Sequence, residues 1–341
     1  MTVRVGINGF GRIGRSIFRV IVQRDSGVKV AAINDLGDAE TLAYLLQYDS
    51  VMGPFPGALQ LDGDVLRAGG QEVRLLTVRD PADLPWKELG VQVAVEATGV
   101  FRDRASLEKH LEAGAERVIL TVPSKDPVDE TVVLGVNDDE IDDADRLVSN
   151  ASCTTNCLAP IAKILDDSFG VRRGVMTTVH AYTNDQRLAD VPHKELRRSR
   201  AATQNIIPTT TGAAKAVGEV LPQLQGKLDG MAMRVPVPDG STVDLVAELE
   251  REVTVEEVNE AVRRAATGPM ADIVQYSEAP LVSSDIIGNP HSSIFDALST
   301  RVLGGNLVKV VAWYDNEWGY SNRVVDLIER LGSRTTVAAE R

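Results

Sequence analysis

The stretch Val3-Arg4-Val5-Gly6-Ile7-Asn8, followed directly by Gly9-Phe10-Gly11-Arg12-Ile13-Gly14, decides the fold. The short run rich in β-branched residues predicts a strand, and Ile13-Gln23 continues with the apolar spacing of a helix. A G-x-G-x-x-G at that junction leaves the first amide groups of the helix bare, where they and the helix dipole can hold a pyrophosphate. Alone, the glycines equally suit a tight turn. The next predicted strand, Val28-Asn34, is followed by Asp35, a carboxylate placed to accept both hydroxyls of an adenosine ribose and to repel a 2'-phosphate. Strand, glycine turn, helix and acid in this order point to a dinucleotide, and to NAD over NADP because Leu36 brings no cation.

The same grammar extends outward. Ala39-Tyr48 reads as a helix, Val91-Ala97, Val118-Val122, Val132-Val136 and Leu147-Val148 as strands, and Ala105-Ala113 as a helix stopped by Gly114. Together they predict a doubly wound parallel sheet of the Rossmann kind. Beyond residue 150 the rhythm changes: Val175-His180, Met231-Val237, Val243-Leu249 and Leu307-Trp313 alternate over longer runs, which predicts a mostly antiparallel sheet. Thr254 and Glu257 form a capping box for a helix that Gly268 closes. A last helix, about Asn322-Leu331, is expected to stop at Gly332, with Ser333-Arg341 frayed. The fold class is therefore α/β plus α+β.

Composition excludes several functions. With 49 acidic against 36 basic residues the chain carries -13, which excludes a nucleic-acid footprint or an anionic membrane surface as its ground of binding. No apolar stretch approaches the ~18 residues of a membrane span, and no secretory-type leader is legible, so the expected location is cytoplasmic. Two cysteines cannot build a disulfide framework, and Cys153 with Cys157 makes a poor zinc set, so no metal is expected.

A reactive centre is legible in Ser149-Asn150-Ala151-Ser152-Cys153-Thr154-Thr155-Asn156-Cys157, which leaves a predicted strand and enters the helical run Leu158-Leu165. Cys153 falls at the helix start behind an N-capping Ser152, a position that favours thiolate, while Cys157 one turn deeper reads as a packed core residue. Of four histidines, His180 ends a predicted strand and is the best-placed base, although a core histidine there remains an alternative. His110 sits in the charged run Glu108-Lys109-His110 and is expected to be solvated. His193-Arg200 holds four cations against one acid, an excess that suits phosphate. Thr209-Thr210-Thr211-Gly212 opens a second helix start, and Arg234 stands among alternating apolar residues. For Arg198 a surface salt bridge, and for Arg234 a buried ion pair, are the competing readings.

These pieces together resemble the phosphorylating glyceraldehyde-3-phosphate dehydrogenases nearly end to end. The resemblance rests on Gly6-Ile7-Asn8-Gly9-Phe10-Gly11-Arg12-Ile13-Gly14-Arg15, on Ala151-Ser152-Cys153-Thr154-Thr155-Asn156-Cys157 and on Trp313-Tyr314-Asp315-Asn316-Glu317-Trp318-Gly319-Tyr320. Erythrose-4-phosphate dehydrogenases share the last two; His180-Ala181-Tyr182-Thr183-Asn184-Asp185-Gln186 favours the glyceraldehyde enzyme. The resemblance implies Cys153 as nucleophile and His180 as its activator. It implies Ser152, Thr154, Thr183, Arg198, Thr211, Gly212 and Arg234 around the substrate phosphate and incoming inorganic phosphate. For NAD it implies Gly9, Gly11, Arg12, Ile13 and Gly14 at the pyrophosphate, Asp35 at the ribose, Arg79 and Thr121 on the adenine side, and Asn316 at the nicotinamide carboxamide. It further implies an NAD-binding domain over 1–151, completed by a C-terminal helix at 316–335, a catalytic domain over 152–315, and a homotetramer with 181–206 at an interface. A non-catalytic nucleotide-binding thiol sensor is the reading from another class, and it has no use for two anion sites. Met52 and Asp239-Gly240 depart from the commoner family pattern, away from the matched functional positions.

Overall fold

The computed structural model describes residues 2–24 and 26–339. The chain forms two compact units: one comprises the chain to Val132, Asp139–Ala151 and the chain from Ser321, the other Val133–Asp138 and Ser152–Tyr320.

The first unit runs β1 (Val3–Asn8), α1 (Arg12–Gln23), β2 (Val28–Asn34), α2 (Ala39–Gln47), β3 (Leu59–Asp62), β4 (Val65–Ala68), β5 (Gln71–Leu76), β6 (Val93–Glu96), α3 (Arg104–Glu112), β7 (Arg117–Leu120), β8 (Glu130–Thr131) and β9 (Leu147–Ser149). They form one nine-stranded sheet in the order β3-β4-β5-β2-β1-β6-β7-β9-β8. Only the β3–β4–β5 meander is antiparallel; every other pairing is parallel. Central β1 and β6 are buried on both faces, as their β-branched sequences demand. The chain leaves β1 for β2 on one side and later returns to β6 on the other. The crevice beyond the carboxyl ends of β1 and β6 is thus the topological switch point where such sheets bind ligands.

Two expectations fail here. Val132-Val136 is no strand: Asn137 Oδ1 accepts the Val133 amide at 2.9 Å, Asp138 Oδ1 accepts the Gly135 amide at 2.8 Å, and Gly135 takes φ +81°. The apolar side chains are buried, but Asx-type bonds fold the run into turns. The last helix, α7 (Trp318–Ala339), also runs straight through Gly332. A Cβ there would lie 2.3 Å from the Val3 side chain, so this glycine permits helix-to-strand contact instead of ending the helix. Ser333–Ala339 is helical where fraying was expected, and Glu340 and Arg341 lie outside the described residues.

The second unit runs α4 (Cys153–Phe169), β10 (Val171–Ala181), β11 (Ile207–Thr210), α5 (Ala213–Val220), β12 (Leu228–Val235), β13 (Ser241–Leu249), α6 (Val255–Ala266), β14 (Val274–Ser277), β15 (Ser293–Asp296), β16 (Arg301–Leu303) and β17 (Leu307–Tyr314). Its sheet is ordered β11-β12-β10-β13-β17-β15-β14, with β16 on β17. Only β10–β12 and β14–β15 pair parallel, so the sheet is mostly antiparallel. The Thr254–Glu257 capping box starts α6 as read. Register sets His180 against Arg234 and Ser241 against Tyr314, so the ends of four strands gather their polar side chains at one place. Among the described residues no helix is long and apolar enough to cross a membrane, and no cluster of metal-ligating side chains occurs.

Candidate active site

The site is built around the start of α4. Ala151 turns the chain with φ +51°, the one non-glycine so placed among the described residues. Ser152 then caps the helix, its Oγ accepting the Thr155 amide at 3.0 Å. Cys153 is therefore the first helical residue, and its Sγ lies 3.5 Å from His180 Nε2. His180 is buried near the end of β10, edge-on to the Tyr314 ring at 5.9 Å between centroids. Its Nδ1 lies 2.7 Å from the Ala181 carbonyl, and the tautomer that donates a proton there presents the Nε2 lone pair to sulfur. Arg234 Nη1 donates to the same carbonyl at 3.1 Å and stands 2.6 Å from Nδ1, a contact that suits the other tautomer, in which Nδ1 accepts.

Burial governs the resting protonation. It pushes the Cys153 thiol up to about 11 against the opposing pull of Arg234 and Thr154. Burial and then Arg234 bring His180 down to about 3. The pair thus rests as thiol and neutral imidazole, and the thiolate expected from the helix start is outweighed by desolvation. Neutral Nε2, 3.5 Å from sulfur, is placed to take the proton when the thiol attacks.

Anion-holding groups surround this pair unequally. Arg234 is half-buried, has no ion-paired carboxylate among the described residues, and leaves its Nε buried without a partner. That is an open charge on the site, so the buried ion-pair alternative does not hold for it. Arg198 is different: it pairs with Asp185 and with Glu195 at 3.0 Å, and its Nε donates to Thr209 Oγ1 at 2.9 Å. Arg200 pairs with Asp190 at 2.9 Å. The cation excess read over 193–200 is therefore partly answered by acids of the preceding turn, a compensation that counting within one stretch missed. Thr183 donates to Asp185, and Thr211 Oγ1 accepts the Ala213 amide at 3.2 Å. Gly212 opens α5 with nothing within 4 Å of where a Cβ would stand. The Thr154 hydroxyl is engaged inward, 2.8 Å from Tyr314 Oη, which also meets Thr178 Oγ1 at 2.8 Å. Tyr314 was legible only as part of a motif; its hydroxyl clamps α4 to the strand that carries His180.

In the first unit the three glycines of the turn divide their work. A Cβ on Gly9, at φ +97°, would come 2.6 Å from Thr98 N, and one on Gly14 would come 2.1 Å from the Gly9 carbonyl. Both permit close backbone packing. Gly11 instead caps α1 with no side-chain bond, and nothing stands within 4 Å of its Cβ direction. This is the open amide seat a pyrophosphate requires. Asp35 is already aimed, its two oxygens accepting the Phe10 and Gly37 amides at 2.8 and 2.9 Å. Ile13 is half-buried and Arg79 exposed. The Arg12 guanidinium is held by both oxygens of Asp49 at 2.9 and 3.1 Å, and Thr121 Oγ1 donates to the Glu96 carbonyl at 3.0 Å. Asn316, on the second unit, is buried with Oδ1 accepting Ser241 Oγ at 2.6 Å.

His110 is corrected outright: it is fully buried. Trp86 Nε1 donates to its Nδ1 at 3.0 Å, which leaves the proton on Nε2, 3.1 Å from Glu96. Glu96 also accepts Asn8 Nδ2 at 2.6 Å, and Asn8 Oδ1 accepts Asn34 Nδ2 at 2.7 Å. This chain of bonds locks the carboxyl ends of β6, β1 and β2 behind the glycine turn.

Comparison with known proteins decides the family. Residues 3–104 match the model of the glyceraldehyde 3-phosphate dehydrogenase NAD binding domain, and 152–316 match that of its C-terminal domain. The chain belongs to the glyceraldehyde-3-phosphate dehydrogenase family. It is 58% identical over 335 residues to the glyceraldehyde-3-phosphate dehydrogenase of Priestia megaterium, covering 98% of this chain and 99% of that one. The Streptomyces coelicolor relative of the same name is 55% identical over 336 residues, 98% of this chain and all of its own. That of Mycobacterium avium is 56% identical over 338 residues, 97% of this chain and 99% of its own. Family membership brings the Rossmann-type NAD-binding fold of the first unit and the mixed sheet of the second under one description.

Proposed function

We propose that this chain is an NAD-dependent enzyme that oxidises D-glyceraldehyde 3-phosphate and traps the product with inorganic phosphate as 1,3-bisphosphoglycerate, in glycolysis and its reversal. The observation that carries the reading is Cys153 Sγ at 3.5 Å from a neutral His180, beside an Arg234 that lacks an acidic partner. Sulfur attacks the aldehyde carbon while His180 Nε2 takes the thiol proton and passes it to the aldehyde oxygen, giving a hemithioacetal. NAD supplies the hydride acceptor when bound. Loss of hydride from that carbon and of the hydroxyl proton to Nε2 leaves a thioester on Cys153. A phosphate oxygen then displaces sulfur, which recovers its proton from His180. The Cys153 amide at the head of α4 supports the oxyanions formed at the carbonyl.

Within this reading Arg234, Arg198, Thr183, Thr211, Gly212, Thr154 and Ser152 serve the two phosphates. Arg234 and the open α5 start at Gly212 support direct contact; Ser152 and Thr154 act through the cap and the Tyr314 clamp. Gly9, Gly11, Arg12, Ile13 and Gly14 hold the pyrophosphate, Asp35 the ribose, Arg79 and Thr121 the adenine side, and Asn316 the nicotinamide amide. A homotetramer goes with exposed Leu188, Leu196 and Ile206 in the segment assigned to an interface. A cytoplasmic location goes with the glycolytic role.

The Arg234→Leu variant tests the assignment. Loss of the open charge raises KM for glyceraldehyde 3-phosphate by about 10- to 100-fold and leaves KM for unphosphorylated glyceraldehyde nearly unchanged. Steady-state kinetics with both aldehydes read it directly. An equal rise for the two would remove Arg234 from phosphate recognition.

A further inference from the structure

Asp239 and Gly240, the departures left without a role by the sequence, stand at the edge of the reactive cluster. Asp239 and Asp315 are 2% and 1% exposed, their carboxyl groups lie close enough to act on each other directly, and neither is ion-paired to a cation among the described residues. Two buried carboxyls this close hold a proton between them. Asp315 uses both oxygens as acceptors, Oδ1 from the Glu317 and Trp318 amides at 2.9 and 2.6 Å and Oδ2 from the Gly288 amide at 2.7 Å. Asp239 accepts only the Gly240 amide, at 2.8 Å on Oδ1, so its Oδ2 is free to carry the proton. Gly240 turns at φ +81° with its Cβ direction 2.2 Å from the Ser283 carbonyl, and no side chain fits there.

One residue further, the Ser241 hydroxyl accepts the Ala181 amide at 3.1 Å and donates to Asn316 Oδ1 at 2.6 Å. Asp239–Asp315 and Ser241–Asn316 are thus two rungs between the same pair of segments, and a third ties Ser241 to the peptide that follows His180. Because Ser241 takes the amide oxygen, Asn316 is left to present Nδ2 as a donor. The ionisable groups facing Asp239 are Asp315 and Glu317 from the 315–317 turn and Cys153 from α4.

We propose that Asp239 is a positioning residue: as a neutral acid it donates its proton to Asp315, and so holds Ser241 where it orients the Asn316 amide and the His180–Ala181 peptide. The proposal rests on the proposed function for what Asn316 and His180 then do. Burial, then the charges of Asp315 and Glu317, push Asp239 up to about 9, so the donor is in place at neutral pH. Being raised relative to the unfolded chain, it lends stability that is fully present below the unfolded carboxyl value and is lost as pH rises toward about 9.

The test uses the full chain, wild type, Asp239→Asn, which keeps a donor without a titratable proton, and Asp239→Leu, which removes it. NAD dissociation constants by calorimetry, and Tm, are followed from mildly acidic pH to above about 9. Asp239→Asn is expected to match wild-type affinity at neutral pH, while Asp239→Leu weakens it about fivefold or more. Wild type loses affinity on the alkaline side where Asp239→Asn does not, and the Tm of Asp239→Asn gains on wild type as pH rises from 5 to 9. Identical pH profiles for wild type and Asp239→Asn in both measurements would overturn the proposal, as would wild-type affinity in a folded Asp239→Leu. Absence of NAD binding by wild type at neutral pH overturns the proposed function and the Asn316 part with it; the Tm comparison still decides where the proton sits.

Discussion

Cys153→Ser lowers turnover by at least about 10^3-fold and leaves NAD affinity within experimental scatter. A serine at the head of α4 keeps the helix, since Ser152 and not residue 153 supplies the cap. It also keeps a hydroxyl on the side of His180 Nε2, which lies 3.5 Å from the Cys153 sulfur, so the orientation of base and side chain survives. What is lost is chemistry: a hydroxyl is a far weaker nucleophile here and a poorer leaving group than sulfur when phosphate must displace it. Both half-reactions suffer. The measurement is initial rate together with NAD titration on the same preparation. Near-normal turnover would show that Cys153 is not the nucleophile and would remove the thioester route.

Gly11→Val separates the fold from the ligand. Nothing lies within 4 Å of the Gly11 Cβ direction, and its backbone at φ -70° and ψ -160° is extended and open to any residue. The cost to stability is about 1 kcal/mol or less, that of a poorer N-cap. A branched side chain nevertheless stands over the bare amides of α1, where a pyrophosphate would sit, so NAD affinity falls by about 100-fold or more. Gly14→Ala makes the contrasting case, because its Cβ would lie 2.1 Å from the Gly9 carbonyl and must deform the turn itself. Calorimetric titration with NAD and a thermal melt of Gly11→Val read the two effects. Unchanged affinity would place the dinucleotide elsewhere.

A feature of this fold is legible in the sequence where the interaction that determines it is local. The β1–α1 junction, Asp35, the Ser152 cap and the Thr254 box are set by neighbours in the chain, and all could be read from spacing. His180 could be nominated from its place at the end of a strand. Its setting could not, because the Arg234 partner and the Tyr314 clamp come from β12 and β17 and meet it only through register. His110 was misread for the same reason: the charged run around it hides a ring that faces Trp86 and Glu96. Gly332 looked like a helix stop because a glycine needed for close approach to Val3 carries the same letter as one needed for a left-handed turn. Val132-Val136 had the composition of a strand, and only the Asx bonds from Asn137 and Asp138 say otherwise. Asp185 and Asp190, which pair with Arg198 and Arg200, lie outside the stretch whose charge was counted.

The most direct test of the central claim is absorbance in the reduced-nicotinamide band while the purified chain is offered glyceraldehyde 3-phosphate or erythrose 4-phosphate, NAD or NADP, with and without inorganic phosphate. The structure and the family predict fast NAD reduction with glyceraldehyde 3-phosphate that depends on inorganic phosphate. Preference for the erythrose substrate, or a rate indifferent to phosphate, would contradict it.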